Sequence, residues 1–148
     1  MSARFHGIVS ISLVAISILI AIVTVFQAAP ALGLVYLTGC VVAPFGIVYA
    51  FCARCSCRAH CAHVVFGKLA VALTHHQPGP YTPAQIAAVG LALLWLLGLP
   101  QLWLWQTPLW LALFWLLNAM AVAQIRLAVC PACDNAFCPL RAARQEGT

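Results

Sequence analysis

The chain has 148 residues, of which 65% are hydrophobic and 6% are charged, and its formal net charge is +5. A soluble globular domain carries about 25% charged residues and about 45–50% apolar residues, so this composition excludes that class. It also excludes a disordered chain, because disordered segments are poor in apolar residues. The composition therefore predicts an integral membrane protein that has the lipid bilayer as its solvent.

Four apolar stretches are long enough to cross a bilayer as helices, since a span needs about 17–25 apolar residues. These stretches cover residues 8–26, 31–51, 83–99 and 108–127, and Arg126 near the end of the last is their single charged residue. We predict an all-α fold, a single membrane domain over residues 1–148 with four transmembrane helices arranged as two hairpins. A loop at residues 52–82 separates the hairpins, and a tail at residues 128–148 follows them.

Local signals mark the start of the third and fourth helices. Thr82, Pro83 and Gln85 form the pattern of a capping box with proline at the first helical position. Thr107 and Pro108 offer a cap and a first-position proline again. Because proline disfavours the helical conformation of the residue before it, we expect the third helix to end at Pro100.

The positions of the positive charges predict the orientation in the membrane. The seven positively charged residues are Arg4, Arg54, Arg58, Lys68, Arg126, Arg141 and Arg144. None of them lies in the turns at residues 27–30 and 100–107. The positive-inside rule then places both termini and the long loop in the cytoplasm of an inner or plasma membrane. Residues 8–26 exceed the apolar core of about 7–15 residues found in signal peptides, so we expect a retained first helix.

Seven of the eight cysteines fall into two clusters on the predicted cytoplasmic side, together with two histidines. The candidate ligands are Cys52, Cys55, Cys57, His60, Cys61 and His63 in the loop, and Cys130, Cys133 and Cys138 in the tail. Cytosolic cysteines are kept reduced, so this pattern favours metal binding over disulfides. The eighth cysteine, Cys40, lies inside the second span, where a thiol behaves as a small apolar group.

The spacing of these cysteines leaves more than one metal and more than one pairing open. The pairs Cys52/Cys55 and Cys130/Cys133 have the spacing of a zinc ribbon, and the remaining thiols with His60 or His63 would form a second site. Zinc is the favoured metal, because sulfur-rich tetrahedral ligation with some histidine suits it. The Cys138-Pro139 pair is typical of iron–sulfur sequences, which makes an iron–sulfur cluster the alternative, and a labile soft ion such as copper is a further one.

The loop also contains a short apolar segment at residues 64–73 with one lysine. This composition predicts a short helix that either lies in the membrane interface or covers the cysteines. His75 and His76 precede a turn-rich segment and are interpreted as solvated loop residues.

The spans contain no charged residue between residues 8 and 125, and the only acids in the chain are Asp134 and Glu146. Transport paths are marked by ionisable groups within the bilayer, so the spans do not favour a transporter. With two acids in the chain there is no pair of catalytic carboxylates in the spans, and the sequence favours a non-catalytic protein. We expect a structural or accessory subunit with a cytoplasmic Cys/His zinc centre. Its partner would be another membrane protein or a second copy of itself, and not nucleic acid. The alternatives are an iron–sulfur electron-transfer subunit, or soft-metal sensing or delivery with Cys40 as a relay thiol.

Overall fold

The fold was examined in a computed structural model that describes residues 2–75, 77–135 and 137–138. Within these ranges the secondary structure is helical and contains no strand. Within the same ranges, four helices are long and apolar enough to cross a membrane, which confirms the prediction of an all-helical fold with four candidate membrane-spanning helices. His76 lies outside the described residues, as does the part of the predicted tail that carries Pro139, Arg141 and Arg144.

Six α-helices follow one another within the described residues. They are α1 (Ala3–Ala28), α2 (Pro30–Ala50), α3 (Val64–Leu73), α4 (Pro83–Leu93), α5 (Gln101–Leu104) and α6 (Pro108–Gln124). Wide π turns at Leu94–Gly98 and Ile125–Val129 continue α4 and α6, and tight 3₁₀ turns occupy Cys52–Arg54, Arg58–His60 and Cys130–Ala132. With these turns included, the four spanning units are Ala3–Ala28, Pro30–Arg54, Pro83–Leu104 and Pro108–Ala132.

The helices extend past the apolar stretches because hydropathy marks the lipid-facing length and not the end of a helix. The predicted capping box is present, since the Gln85 amide donates to Thr82 Oγ1 at 3.3 Å and the Thr82 amide donates to Gln85 Oε1 at 3.0 Å. The predicted side-chain cap at Thr107 is wrong. Its hydroxyl donates backwards to the Leu104 carbonyl at 3.2 Å, so α6 begins without a side-chain cap.

The bundle is assembled by packing α1 against α2 and α6, and α2 against α4. Its buried core lies toward the end that carries the two short turns, and it consists of Ala21, Val25, Tyr36, Leu104 and Phe114. Along α1 the small polar residues Ser10, Ser17 and Thr24 are buried and donate to carbonyls of their own helix. This stripe therefore serves helix packing, as small residues do in membrane bundles.

The third spanning helix continues past Pro100, contrary to the sequence prediction. Leu99 keeps a helical backbone, and the π turn before it places the Leu99 amide 3.0 Å from the Leu94 carbonyl. Pro100 has no amide hydrogen, so it cannot donate to the Leu96 carbonyl four residues earlier. The hydroxyl of Tyr36 on α2 donates to that carbonyl at 2.8 Å instead. A side chain of a neighbouring helix therefore replaces the backbone bond that proline removes, which is how prolines are tolerated in membrane spans.

Tyr36 is fully buried, and removal of its hydroxyl leaves the Leu96 carbonyl without this donor in an apolar environment. We expect Tyr36→Phe to lower the free energy of unfolding by about 1–3 kcal/mol, the cost of an unsatisfied buried polar group. The measurement is a denaturant titration of the protein in detergent micelles, followed by circular dichroism. Tyr49→Phe is the matched control, because the Tyr49 side chain is 55% exposed and the same atom is removed. Equal stability changes in the two variants would contradict this role for Tyr36.

Candidate metal centre

The beginning of α1, the loop after α2 and the end of α6 meet at one face of the bundle. His6 on α1 contacts the side-chain oxygen of Gln124 on α6. His63 in the loop donates from Nδ1 to the carbonyl of Gly7 at 3.3 Å. The two helical hairpins thus return the chain twice to the same level, so the loop and the tail are brought together there.

Three sulfur atoms from the loop and the tail converge at this face. The Sγ atoms of Cys55 and Cys57 are 3.3 Å apart, and those of Cys57 and Cys133 are 3.2 Å apart. A side-chain hydrogen bond also links Cys55 with Cys133. We refer to Cys55, Cys57 and Cys133 as the thiol cluster. It joins two segments that are 76 residues apart in the sequence.

Cys61, Cys52 and His63 are placed near the thiol cluster. Cys61 is close enough to Cys57, Cys133 and Cys52 to interact with each electrostatically. The ring of His63 interacts in the same way with Cys133.

The structure gives fewer contacts for the three remaining predicted ligands, Cys138, Cys130 and His60. Cys138 is near enough to Tyr81 to affect its ionisation. Cys130 begins the last 3₁₀ turn, and its carbonyl accepts from the Cys133 amide at 3.2 Å. The side chain of His60 is exposed.

The contacts in the structure group the cysteines differently from the two sites that the spacing suggests. In that division Cys55 and Cys133 share the first site, while Cys57 belongs to the second. In the structure, Cys57 contacts both Cys55 and Cys133, which are also linked to each other. The turn Cys55–Arg58, closed by the Arg58 amide on the Cys55 carbonyl at 3.4 Å, brings Cys57 back beside Cys55. Spacing along the chain cannot reveal this reversal.

Asn135 and Tyr81 also hold the tail in place, and the sequence analysis missed both. Asn135 is 1% exposed, and its Nδ2 donates to the Tyr81 hydroxyl at 3.0 Å. Its Oδ1 accepts from Ser56 in the loop at 3.4 Å and from the Phe137 amide at 3.2 Å. The bond to Phe137, two residues on, is an Asx turn. An asparagine two residues after a cysteine in a ligand-rich tail was therefore a local signal for this turn.

The hydrogen bonds within the thiol cluster shift the pKa values of its members in opposite directions. Hydrogen bonding to Cys55 lowers the pKa of Cys133 to about 5, against the opposing effect of burial. The same bond to Cys133 raises the pKa of Cys55, and burial raises it further. Burial also raises the pKa of Cys61 and lowers that of His63. Cys133 is consequently the thiolate of the cluster, and its neighbours are proton donors.

The geometry of the cluster is that of hydrogen-bonded thiols. Among the described residues, no group of three or more His, Cys, Asp or Glu side chains has the arrangement of a metal site. The sulfur separations of 3.2 and 3.3 Å are shorter than the edge of about 3.8 Å that zinc–sulfur bonds of about 2.3 Å produce in a tetrahedron. Zinc binding would therefore require the sulfurs to move apart by about 0.5 Å, a small displacement for side chains on a loop. The donor types suit the metal, but the present spacing does not.

In comparisons with known proteins, no protein-family model, no curated protein and no solved structure matches this chain.

Gly7 sets the distance between α1 and the cysteine loop. The glycine is buried, and a β-carbon at this position would overlap the carbonyl group of Ala62. Its own carbonyl accepts the hydrogen bond from His63. The absence of a side chain therefore lets the loop sit directly on the start of α1.

We expect Gly7→Ala to displace the loop from α1, because overpacking of this kind costs about 1–3 kcal/mol. The measurement is the rate of tryptic cleavage at Arg58 in detergent micelles, which should rise about fivefold or more as the loop opens. Gly90→Ala is the control, since a β-carbon at Gly90 meets no atom within 4 Å. Unchanged cleavage in the Gly7 variant would show that the loop does not depend on this contact.

The lowered pKa of Cys133 predicts a pH dependence of its reactivity. Above about pH 5 its thiolate is already formed, so alkylation of the reduced, chelator-treated protein should change little between about pH 6 and pH 8. Cys61 is the internal comparison, because its raised pKa keeps it protonated and its labelling should rise about tenfold per pH unit. Iodoacetamide labelling with peptide mass spectrometry measures both residues in one sample. Parallel rises at the two positions would contradict the assignment of the thiolate to Cys133.

Proposed function

We propose that this protein is a small membrane subunit whose cytoplasmic cysteines bind one structural zinc ion and thereby fix the ends of its helices. The observation that carries the proposal is the convergence of Cys55 and Cys57 from the loop with Cys133 from the tail. A tetrahedral zinc site takes four ligands, so these three thiols from two distant segments would supply three of them. The cytoplasmic placement rests on the distribution of the positive charges.

Two side chains are candidates for the fourth ligand. Cys61 interacts with both Cys57 and Cys133, and its thiol accepts a hydrogen bond from the His63 backbone. His63 uses Nδ1 to donate to the Gly7 carbonyl. That bond to a backbone carbonyl is the one that zinc-bound histidines make with the nitrogen that does not touch the metal. The choice decides whether zinc is held by four thiolates or by three thiolates and one imidazole.

The role of such a centre follows from the solvent. In lipid, helices gain nothing from burying apolar side chains against one another, so packing and polar contacts must hold them together. Cys55 and Cys57 follow α2, and Cys133 follows α6. A zinc ion bound by all three would therefore tie the exits of two helices from different hairpins. The absence of charged residues from the four apolar stretches between residues 8 and 125 is consistent with a structural or accessory role in a larger membrane complex or a homo-oligomer.

The proposal is tested by measuring the metal content of anaerobically purified protein, with an absorbance spectrum of the same sample. We expect about one zinc per chain and no visible colour. Cys57→Ser and Cys133→Ser should lose the zinc, and their loops should be cut faster by trypsin. Cys40→Ser is the matched control, because it removes a thiol from α2 outside the cluster and should retain the zinc.

The same measurement separates the competing functions. Iron with acid-labile sulfide and a reducible absorbance band would replace the structural proposal with electron transfer. Copper that exchanges within minutes, with transfer impaired by Cys40→Ser, would favour metal delivery. Protein without metal after growth in zinc-supplemented medium would overturn all three. Loss of zinc in Cys61→Ser but not in His63→Gln would identify the four-thiolate site, and the reverse result would identify the histidine.

A further inference from the structure

A cationic cavity lies beside the cysteine loop, at the same face of the bundle. Its volume is about 380 Å³, and its charged residues are Arg4 at the start of α1, Arg58 in the loop and Lys68 on α3. Apolar atoms of Val64, Gly67 and Val71 on α3 complete much of the wall. No acidic residue is among the described residues that line it.

The positive charge of this cavity has few possible counterions within the protein. The chain contains seven arginines and lysines but two acids. Asp134 is exposed in the tail and does not line the cavity, while Glu146 lies outside the described residues. Three cations around one apolar-walled cavity, with no carboxylate among its described lining residues, therefore favour an anion from outside the chain.

Hydrogen bonds to Thr74, the residue after α3, hold the Arg58 side chain in place beside the cavity. Its Nη1 donates to both the carbonyl and the hydroxyl of Thr74, each at 3.0 Å. The Thr74 hydroxyl is in turn bonded to the Ala70 carbonyl at 2.7 Å, at the end of α3. These bonds engage one of the guanidinium nitrogens and fix its plane. A positioned guanidinium binds phosphate oxygens better than a freely rotating one.

The position of α3 indicates where the anion comes from. One face of this helix packs on the loop, because Gly67 sits against the Arg58 carbonyl and the Cys61 side chain. The other side of the helix exposes Val65 and Leu73. A short helix with one apolar exposed face and a lysine, located where the spanning helices end, has the features of a helix in the membrane interface. The cavity beneath it is thus at the level of the lipid headgroups.

We propose that this cavity binds the phosphate headgroup of an anionic phospholipid, with the acyl chains remaining in the bilayer beside the exposed face of α3. A volume near the lower end of the range of about 300–1,000 Å³ for ligand sites suits a headgroup and not a whole lipid. Basic pockets at the cytoplasmic ends of transmembrane helices bind such headgroups. The apolar walls and the interfacial location favour a lipid over free phosphate as the source of the anion.

The test is native mass spectrometry of the full chain in a neutral detergent, titrated with phosphatidylglycerol or phosphatidylcholine. We expect saturable binding of phosphatidylglycerol that weakens about fivefold in Arg4→Gln and in Lys68→Gln, and about 25-fold in the double variant. These two variants carry the test, because Arg58 also holds the loop and its replacement perturbs the fold. Arg126→Gln is the matched control, since Arg126 is exposed in the π turn that continues α6 and does not line the cavity.

Three outcomes would overturn the proposal. Equal binding of phosphatidylcholine would show that the headgroup charge is not recognised. An equal loss in Arg126→Gln would reduce the effect to general attraction between a cationic protein and an anionic surface. Displacement of the lipid by millimolar inorganic phosphate would assign the cavity to a free anion. Zinc content measured in the same variants should stay unchanged, which separates this site from the proposed metal centre.

Discussion

The constraint on which the structure depends is that a bilayer offers no hydrogen-bond partner to a polar group. Inside the spans, Ser10, Ser17, Thr24 and Asn118 therefore turn their side chains back to carbonyls of their own helices. Where Pro100 removes a backbone donor, the hydroxyl that replaces it comes from another helix. Satisfying that one carbonyl fixes how α2 sits against the third spanning helix, so a local defect becomes a contact that specifies the fold.

The bilayer also explains why contacts at the face with the cysteine loop and the tail matter for the arrangement of the helices. Between the helices, close approach is set by small residues, as at Gly39, where a β-carbon would overlap the Trp95 side chain. At the membrane surface the constraints are polar and link distant segments: Asn135 bridges the tail to Ser56 and Tyr81, and His63 joins the loop to α1. The thiol cluster adds one more link, the one that a metal ion would make rigid.

Sequence reasoning predicted the features that depend on composition or on residues close together in the chain. Hydropathy predicted four spans, and the capping box at Thr82 is a three-residue signal that the structure reproduces. The predicted end of the third helix at Pro100 was wrong, because the missing backbone donor is replaced by the Tyr36 hydroxyl. Tyr36 is 60 residues away from Leu96, whose carbonyl accepts this hydrogen bond. The candidate site divides in the same way. Clustering of the cysteines predicted a common face, but the contact of Cys57 with both Cys55 and Cys133 depends on a turn that spacing does not encode.

The two proposed sites share a short stretch of chain, and this has an electrostatic consequence. Arg58 and Cys61 line the cationic cavity, while Cys57 belongs to the thiol cluster and Cys61 interacts with it. Four thiolates around zinc would carry a net charge of about −2, whereas three thiolates and an imidazole would carry about −1. A lipid phosphate adds negative charge nearby, so it opposes the first arrangement more than the second. Because such coupling is reciprocal, zinc held by four thiolates would weaken lipid binding, and the histidine arrangement would let both sites be filled at smaller cost.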